Sequence, residues 1–135
     1  MDPLLRLINV KKSFGDVQAI NHVNFEIHRN SVIGLVGGNG AGKTTLLRLM
    51  SGVYRPTEGS VQLNNERPVT EMRNVLGVVP ESTGLYSKLT AWENIRYHSR
   101  LHGIDDQVAW DRTYRFAKLL DIEQSLHRYT EGFSR

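Results

Sequence analysis

Gly37-Gly38-Asn39-Gly40-Ala41-Gly42-Lys43-Thr44-Thr45 fits the pattern G-x-x-x-x-G-K-[ST] of a phosphate-binding loop. The chemistry explains the spelling. Glycines let the backbone wrap round a chain of phosphates with several N–H groups pointing inward. Lys43 supplies an ammonium for the β- and γ-phosphates, and the Thr44 hydroxyl is a ligand for the Mg²⁺ that bridges them. The helix expected after the loop turns the positive end of its dipole toward the same anion.

This pattern requires a strand before it and a helix after it. Val32-Ile33-Gly34-Leu35-Val36 is a short apolar run that reads as a buried parallel strand. Thr45-Leu46-Leu47-Arg48-Leu49-Met50-Ser51 is rich in helix formers, and Gly52 follows as a C-terminal cap. The competing reading is a glycine-rich turn without a ligand, in which Lys43 has no evident purpose. The expected ligands are a nucleoside triphosphate and Mg²⁺.

Composition narrows the rest. A chain of 135 residues is nominally one domain. Its 17 basic and 14 acidic residues leave a net charge of +3, spread without a basic run or stripe. That suits phosphate ligands and makes no case for nucleic acid. With no cysteine, disulfides and thiolate metal sites are excluded. No apolar segment has the length of a bilayer span, and Met1-Asp2-Pro3 does not open like a signal peptide, so a cytoplasmic location is expected.

Outward from the loop, Leu5 to Val10 and Ile20 to Ile27 alternate as half-buried strands, with a turn at Ser13-Phe14-Gly15-Asp16. Arg55 to Gly59 reads as a loop and Ser60 to Leu63 as a short strand. Val75-Leu76-Gly77-Val78-Val79 reads as a second buried strand, stopped by Pro80. Helical character follows. Thr90-Ala91-Trp92-Glu93 spells a capping box, with a helix to about His102 ended by Gly103. Asp105-Asp106 caps a further helix whose Ala109, Thr113, Phe116, Ala117 and Leu120 share a face. His98 and His102 lie four apart, but no third ligand accompanies them, so a solvated helix face is the default. Trp92 is expected to pack.

The motifs, in this order, resemble the nucleotide-binding subunit of an ATP-binding-cassette transporter. Lys12-Ser13-Phe14-Gly15 resembles the family's adenine-stacking loop, which makes Phe14 an aromatic platform; the plain alternative is an aromatic packed at a strand end. Gly77-Val78-Val79-Pro80-Glu81 sits where the family has its glutamine loop, and Leu89 to Ile95 where its helical subdomain begins. Thr130-Glu131-Gly132-Phe133-Ser134-Arg135 is similar to the start of the signature motif, with Ser134 as its serine.

The resemblance implies an α/β fold: a P-loop NTPase core of parallel sheet plus N-terminal antiparallel strands, with a helical subdomain, as an incomplete domain. Residues 1–85 form the nucleotide-binding core, with the phosphate loop at 37–45. Residues 86–135 form the helical subdomain, cut off within the signature motif. Phe14, Asn39, Gly40, Gly42, Lys43, Thr44 and Thr45 contact the nucleotide, and Thr44 and Glu81 the metal. The function implied is ATP binding and hydrolysis coupled to transport, with a second nucleotide-binding domain and a transmembrane permease subunit as partners. The protein would then lie in the cytoplasm, peripheral to the membrane through the permease.

Two departures from the family pattern bear on local structure. Asn30 and Asn64 stand where glycine is usual; asparagine also tolerates a left-handed turn. Glu81 replaces the usual glutamine and adds a negative charge near the γ-phosphate; an ordinary loop acid is its plain alternative. Pro80-Glu81 followed by Gly84-Leu85-Tyr86 resembles the exporter branch. The chain stops before the family's Walker B strand, catalytic glutamate and switch histidine, so a catalytically incomplete fragment of a longer protein is expected. A non-catalytic nucleotide-binding fragment and another P-loop enzyme are the alternatives.

Overall fold

The computed structural model describes residues 3–64, 67–71, 75–79 and 84–133. Backbone contacts divide the chain into two compact units, Met1–Val79 and Pro80–Arg135.

The first unit is built on a four-stranded antiparallel sheet. Its strands are β1 (Leu5–Phe14), β2 (Val17–Ile27), β3 (Glu58–Leu63) and β4 (Arg67–Pro68), in the order β2-β1-β3-β4. The strands expected at 5–10, 20–27 and 60–63 are present, and β1 and β2 run longer than the alternation indicated. The turn between them tightens to Gly15 and Asp16. Leu5 and Leu7 face the core, and strict alternation would send Asn9 there next. Instead a bulge at this point shifts the phase, with Asn9 at φ 47°, and Val10 is buried. Asn9 is held by Asn24 of β2: its N–H donates to Asn24 Oδ1 at 2.9 Å and its Oδ1 accepts from Asn24 Nδ2 at 3.0 Å. Gly59 of β3 fits against the bulge at φ 78°, where a Cβ would collide with the carbonyls of Ile8 and Asn9. Asn30 and Asn64 take φ 57° and 47°, the left-handed turns expected of them.

Helix α1 (Lys43–Met50) lays Leu46 and Leu49 on this sheet. They complete a core with Leu5, Leu7, Val10, Ile20, Val61, Leu63 and Val69. Each such side chain, fully buried, contributes about 1.5–3 kcal/mol. Directly opposed charges decorate the outer surface: Arg6 pairs with Glu26 and Lys11 with Glu58, each at 2.8 Å.

Residues 32–36 and 75–79, expected as buried parallel strands, differ from that reading. Among the described residues neither run pairs with a strand, and Val32, Val36 and Val79 are almost fully exposed. The reason is the ladder itself. An extended segment has no hydrogen bonds of its own, and parallel pairing requires a neighbour alongside. An apolar groove of about 370 Å³ opens between β2, residues 31–35 and α1, lined by Val23, Phe25, Ile33, Leu35, Leu46 and Met50.

The second unit is helical. Helix α2 (Ala91–Leu101) starts at the expected capping box: Thr90 Oγ1 accepts from the Glu93 N–H at 3.1 Å, and Glu93 Oε2 accepts from the Thr90 N–H at 2.8 Å. The Ala91 and Trp92 N–H groups donate to the carbonyls of Arg128 and Leu126, so the last segment of the unit closes over the helix start. Asn94, buried, ties the preceding loop in place through Tyr86, Leu89 and Thr90. Thr130 Oγ1 donates to the Tyr86 carbonyl from the other side. Helix α3 (Asp106–Leu119) is capped by Asp105, as its spelling predicts. Its buried face is rotated from the expected one. Ala109 and Ala117 are buried and Thr113 partly so, while Phe116 and Leu120 are exposed. Trp92 packs edge-on to Trp110, with ring centroids 4.9 Å apart.

Two expected outcomes follow from these units. The isolated 135-residue chain self-associates through the exposed apolar runs and the open groove, because unpaired backbone beside apolar side chains is a template for strand pairing. Sedimentation over a wide concentration range reads this directly; a monomer with a concentration-independent melting transition is the contrary result. The second concerns acid. Hydrogen bonds from Thr90 hold the Glu93 carboxyl below its ordinary value, the hydrogen bond and charge of Lys11 lower Glu58, and the hydrogen bond from Arg100 lowers Asp106. A lowered folded-state value gives stability that is complete above the unfolded-state value, about pH 4, and lost as the pH falls through the folded one. Urea unfolding is expected to be flat in pH down to about 5 and to weaken below it, with a smaller fall in Glu93→Gln.

Candidate functional site

The phosphate loop is exposed to solvent and leads into α1. Gly40 and Gly42 take φ 80° and 96°, conformations that the two glycines adopt without strain. Gly42 is the residue before α1, and the Leu46 N–H donates to its carbonyl at 2.8 Å as the first helical turn closes. The loop folds on itself through the Ala41 N–H, which donates to the Gly38 carbonyl at 3.2 Å.

Lys43 curls back over the loop. Its ammonium donates to the carbonyls of Gly37 and Gly38, the latter at 2.7 Å. The cation therefore sits across its own loop and, among the described residues, is bound to neutral acceptors that an anionic phosphate outcompetes. Thr44 is exposed at the first turn of α1, and Thr45, partly buried, follows it. No side chain caps α1 and no acid lies in its first turn, whereas Thr90 and Asp105 cap α2 and α3. The start of α1 is thus left open to an anion, with the positive end of the helix facing it.

The loop is anchored on the β1–β2 hairpin. A Cβ on Gly42 would lie 2.8 Å from the Ala19 carbonyl oxygen and 2.9 Å from Ile20 Cδ1. Ala19 is two residues from Val17, the ladder partner of Phe14. One hairpin therefore carries both the end of the phosphate loop and Phe14. Phe14 is 44% exposed. It is not a bare platform: Tyr54 meets it edge-on at 5.3 Å and the Lys12 ammonium lies 5.0 Å from its centroid.

The structure thus brings Phe14, Asn39, Gly40, Gly42, Lys43, Thr44 and Thr45 into one unit. Thr44 offers one hydroxyl oxygen suited to Mg²⁺. Glu81, the second metal ligand expected, lies outside the described residues, as does Ser134. Sequence reasoning quoted Lys12 beside Phe14 but missed Tyr54, which packs on Phe14, and Arg48, which holds Tyr54. Their separation along the chain carries no period, and an aromatic at 54 is the one hint that a second ring is at hand.

Comparison with known proteins gives the following. A family model described as ABC transporter matches residues 20–135. The sulfate/thiosulfate import ATP-binding protein CysA of Mesostigma viride is 32% identical over 129 residues, covering 93% of this chain and 37% of the relative. The SkfA peptide export ATP-binding protein SkfE of Bacillus subtilis is 28% identical over 133 residues, covering 98% and 56%. Among solved structures, cbiO1 from Clostridium perfringens, part of the ABC transporter complex cbiONQ, superposes with a TM-score of 0.83 at 22% identity, covering 99% of this chain and 57% of that one. The fold is therefore that of the P-loop ATP-binding cassettes, in part. The chain spans between 37% and 57% of the length of these proteins.

Gly42→Ala tests the anchoring. It forces a side chain into the left-handed region, at about 1–2 kcal/mol, and drives a methyl group into the Ala19 carbonyl. The expected outcome is a lower urea midpoint and faster amide exchange at Lys43 to Leu46. An unchanged midpoint and exchange pattern is the contrary result.

Proposed function

The chain belongs to the ABC transporter family, and on that premise we propose that it is the ATP-binding portion of a transporter subunit that couples ATP binding and hydrolysis to transport. The observation that carries this reading is the loop at 37–45, with Lys43 held across it by neutral carbonyls and the start of α1 left uncapped.

In this reading Lys43 exchanges the carbonyls of Gly37 and Gly38 for the β- and γ-phosphates of ATP. The N–H groups of Gly40, Gly42, Lys43, Thr44 and Thr45 converge on the phosphate chain, with Asn39 at its rim. Phe14 stacks on the base, which is worth about 1–3 kcal/mol for an aromatic platform. Thr44, with Glu81, holds Mg²⁺, which screens the negative charge of the phosphates. The carboxylate of Glu81 binds the ion more strongly than an amide and adds charge beside the γ-phosphate. We assign residues 1–85 to the nucleotide-binding core and 86–135 to the helical subdomain.

The family further supports a second nucleotide-binding domain and a membrane permease as partners. The subunit would then lie at the cytoplasmic face of the membrane through the permease. No helix among the described residues is long and apolar enough to cross a membrane. Export is the direction we favour, on the resemblance of Pro80-Glu81 and Gly84-Leu85-Tyr86 to the exporter branch; one relative is named for import and another for export.

Lys43→Ala removes the cation that faces the phosphates. It is expected to weaken Mg·ATP binding at least tenfold, about 1.4 kcal/mol, by titration calorimetry on folded protein. Equal affinity in the two proteins would falsify the reading.

A further inference from the structure

We propose that Tyr54 is a positioning residue for nucleotide recognition, holding the Phe14 platform in register with the helix that carries the phosphate loop. The proposal rests on the reading of Phe14 as the base platform. Phenylalanine has no polar atom, so its ring is oriented by packing alone. Tyr54 supplies that packing: the two rings meet at 69° with centroids 5.3 Å apart, inside the preferred edge-to-face range.

Tyr54 is itself fixed to α1 twice. Its N–H donates to the Arg48 carbonyl at 2.9 Å, and its hydroxyl accepts from Arg48 Nη1 at 2.7 Å. Arg48 lies five residues beyond Lys43 on the same helix. From the other side the loop after Tyr54 is stitched to the end of β1. The Lys12 ammonium donates to the Arg55 carbonyl at 2.9 Å, the Ser13 N–H to Thr57 Oγ1 at 3.1 Å, and the Thr57 N–H to the Lys11 carbonyl at 2.8 Å. The same ammonium lies 5.0 Å from the Phe14 centroid and 5.6 Å from that of Tyr54, a cation shared by two aromatic rings.

A continuous set of contacts therefore runs from α1 through Arg48 and Tyr54 to Phe14. A nucleoside triphosphate is bound at both ends, and affinity depends on those ends being held at one spacing. Tyr54 engages Arg48 with its hydroxyl and Phe14 with its ring, so it acts through Phe14 rather than on the ligand. Tripolyphosphate, which has no base, is indifferent to this spacing.

The test measures Mg·ATP and Mg·tripolyphosphate binding by calorimetry for wild type, Tyr54→Ala, Tyr54→Phe and Phe14→Ala. Tyr54→Ala is expected to weaken ATP roughly threefold to tenfold, the worth of one aromatic pair, and to leave tripolyphosphate unchanged. Tyr54→Phe keeps the ring contact and the backbone bond to Arg48 but loses the hydroxyl bond, so it recovers part of the loss. Phe14→Ala weakens ATP about tenfold or more, again with tripolyphosphate unchanged. If Phe14→Ala loses ATP affinity and Tyr54→Ala does not, the Tyr54 proposal is overturned and the platform reading stands. If Tyr54→Ala weakens both ligands equally, its role is structural and the proposal is overturned. If Phe14→Ala binds ATP like wild type, the platform reading falls and takes the proposal with it. A wild-type protein that binds neither ligand overturns both.

Discussion

β1 is hydrogen-bonded along both of its edges, to β2 on one side and β3 on the other, and the first unit depends on that double pairing. It places Leu5, Leu7 and Val10 under α1 and sets where the hairpin turn falls. The pairing survives an interruption at Asn9 because two residues are suited to it. Asn9 accepts a left-handed backbone and exchanges two hydrogen bonds with Asn24. Gly59 lets β3 approach where any side chain would strike two carbonyls. Without that phase shift Val10 would face solvent and the core would lose one of its buried members.

The candidate site hangs on the same hairpin. Gly42 rests against Ala19 and Ile20, and Phe14 pairs with Val17 a few residues away. A flexible glycine loop thereby gains a fixed anchor at its C-terminal end, while its N-terminal part remains exposed. Lys43 links the two by reaching back to Gly37 and Gly38. The arrangement is electrostatically incomplete. Among the described residues the ammonium is met by neutral carbonyls, and no side chain caps the helix that carries it. An anion supplies what that geometry lacks.

The second unit uses a different device. Its helix starts are satisfied internally: Thr90 and Glu93 cap each other, and the backbone from Leu126 to Arg128 takes the next two N–H groups. Asn94 and Thr130 then hold the loop before α2 through buried hydrogen bonds. The start of α1, by contrast, has no side-chain cap and no acid in its first turn. The exposed Phe116, Leu119 and Leu120 on and just after α3 are surface that this unit does not itself cover.

Elements whose signals are local were legible in the sequence. The capping box at Thr90, the Asp105 cap, the left-handed turns at Asn30 and Asn64 and the start of α1 after Gly42 each depend on a few adjacent residues, and the structure has them all. Periodicity was a weaker guide. It found β1, β2 and β3 but missed the bulge at Asn9, because a one-residue shift is invisible until the partner strand is present. It placed Phe116 and Leu120 on the buried face of α3, whereas small Ala109 and Ala117 are the residues close packing admits. Apolar runs at 32–36 and 75–79 advertise burial, yet a strand exists only where another strand hydrogen-bonds to it, and none of the described residues does so. The phosphate loop could be read from nine consecutive residues because its chemistry is carried by its own backbone and one lysine. The setting of Phe14 could not, since Tyr54 reaches it, and Arg48 holds Tyr54, only after β1, α1 and the loop from 54 to 57 have been folded together.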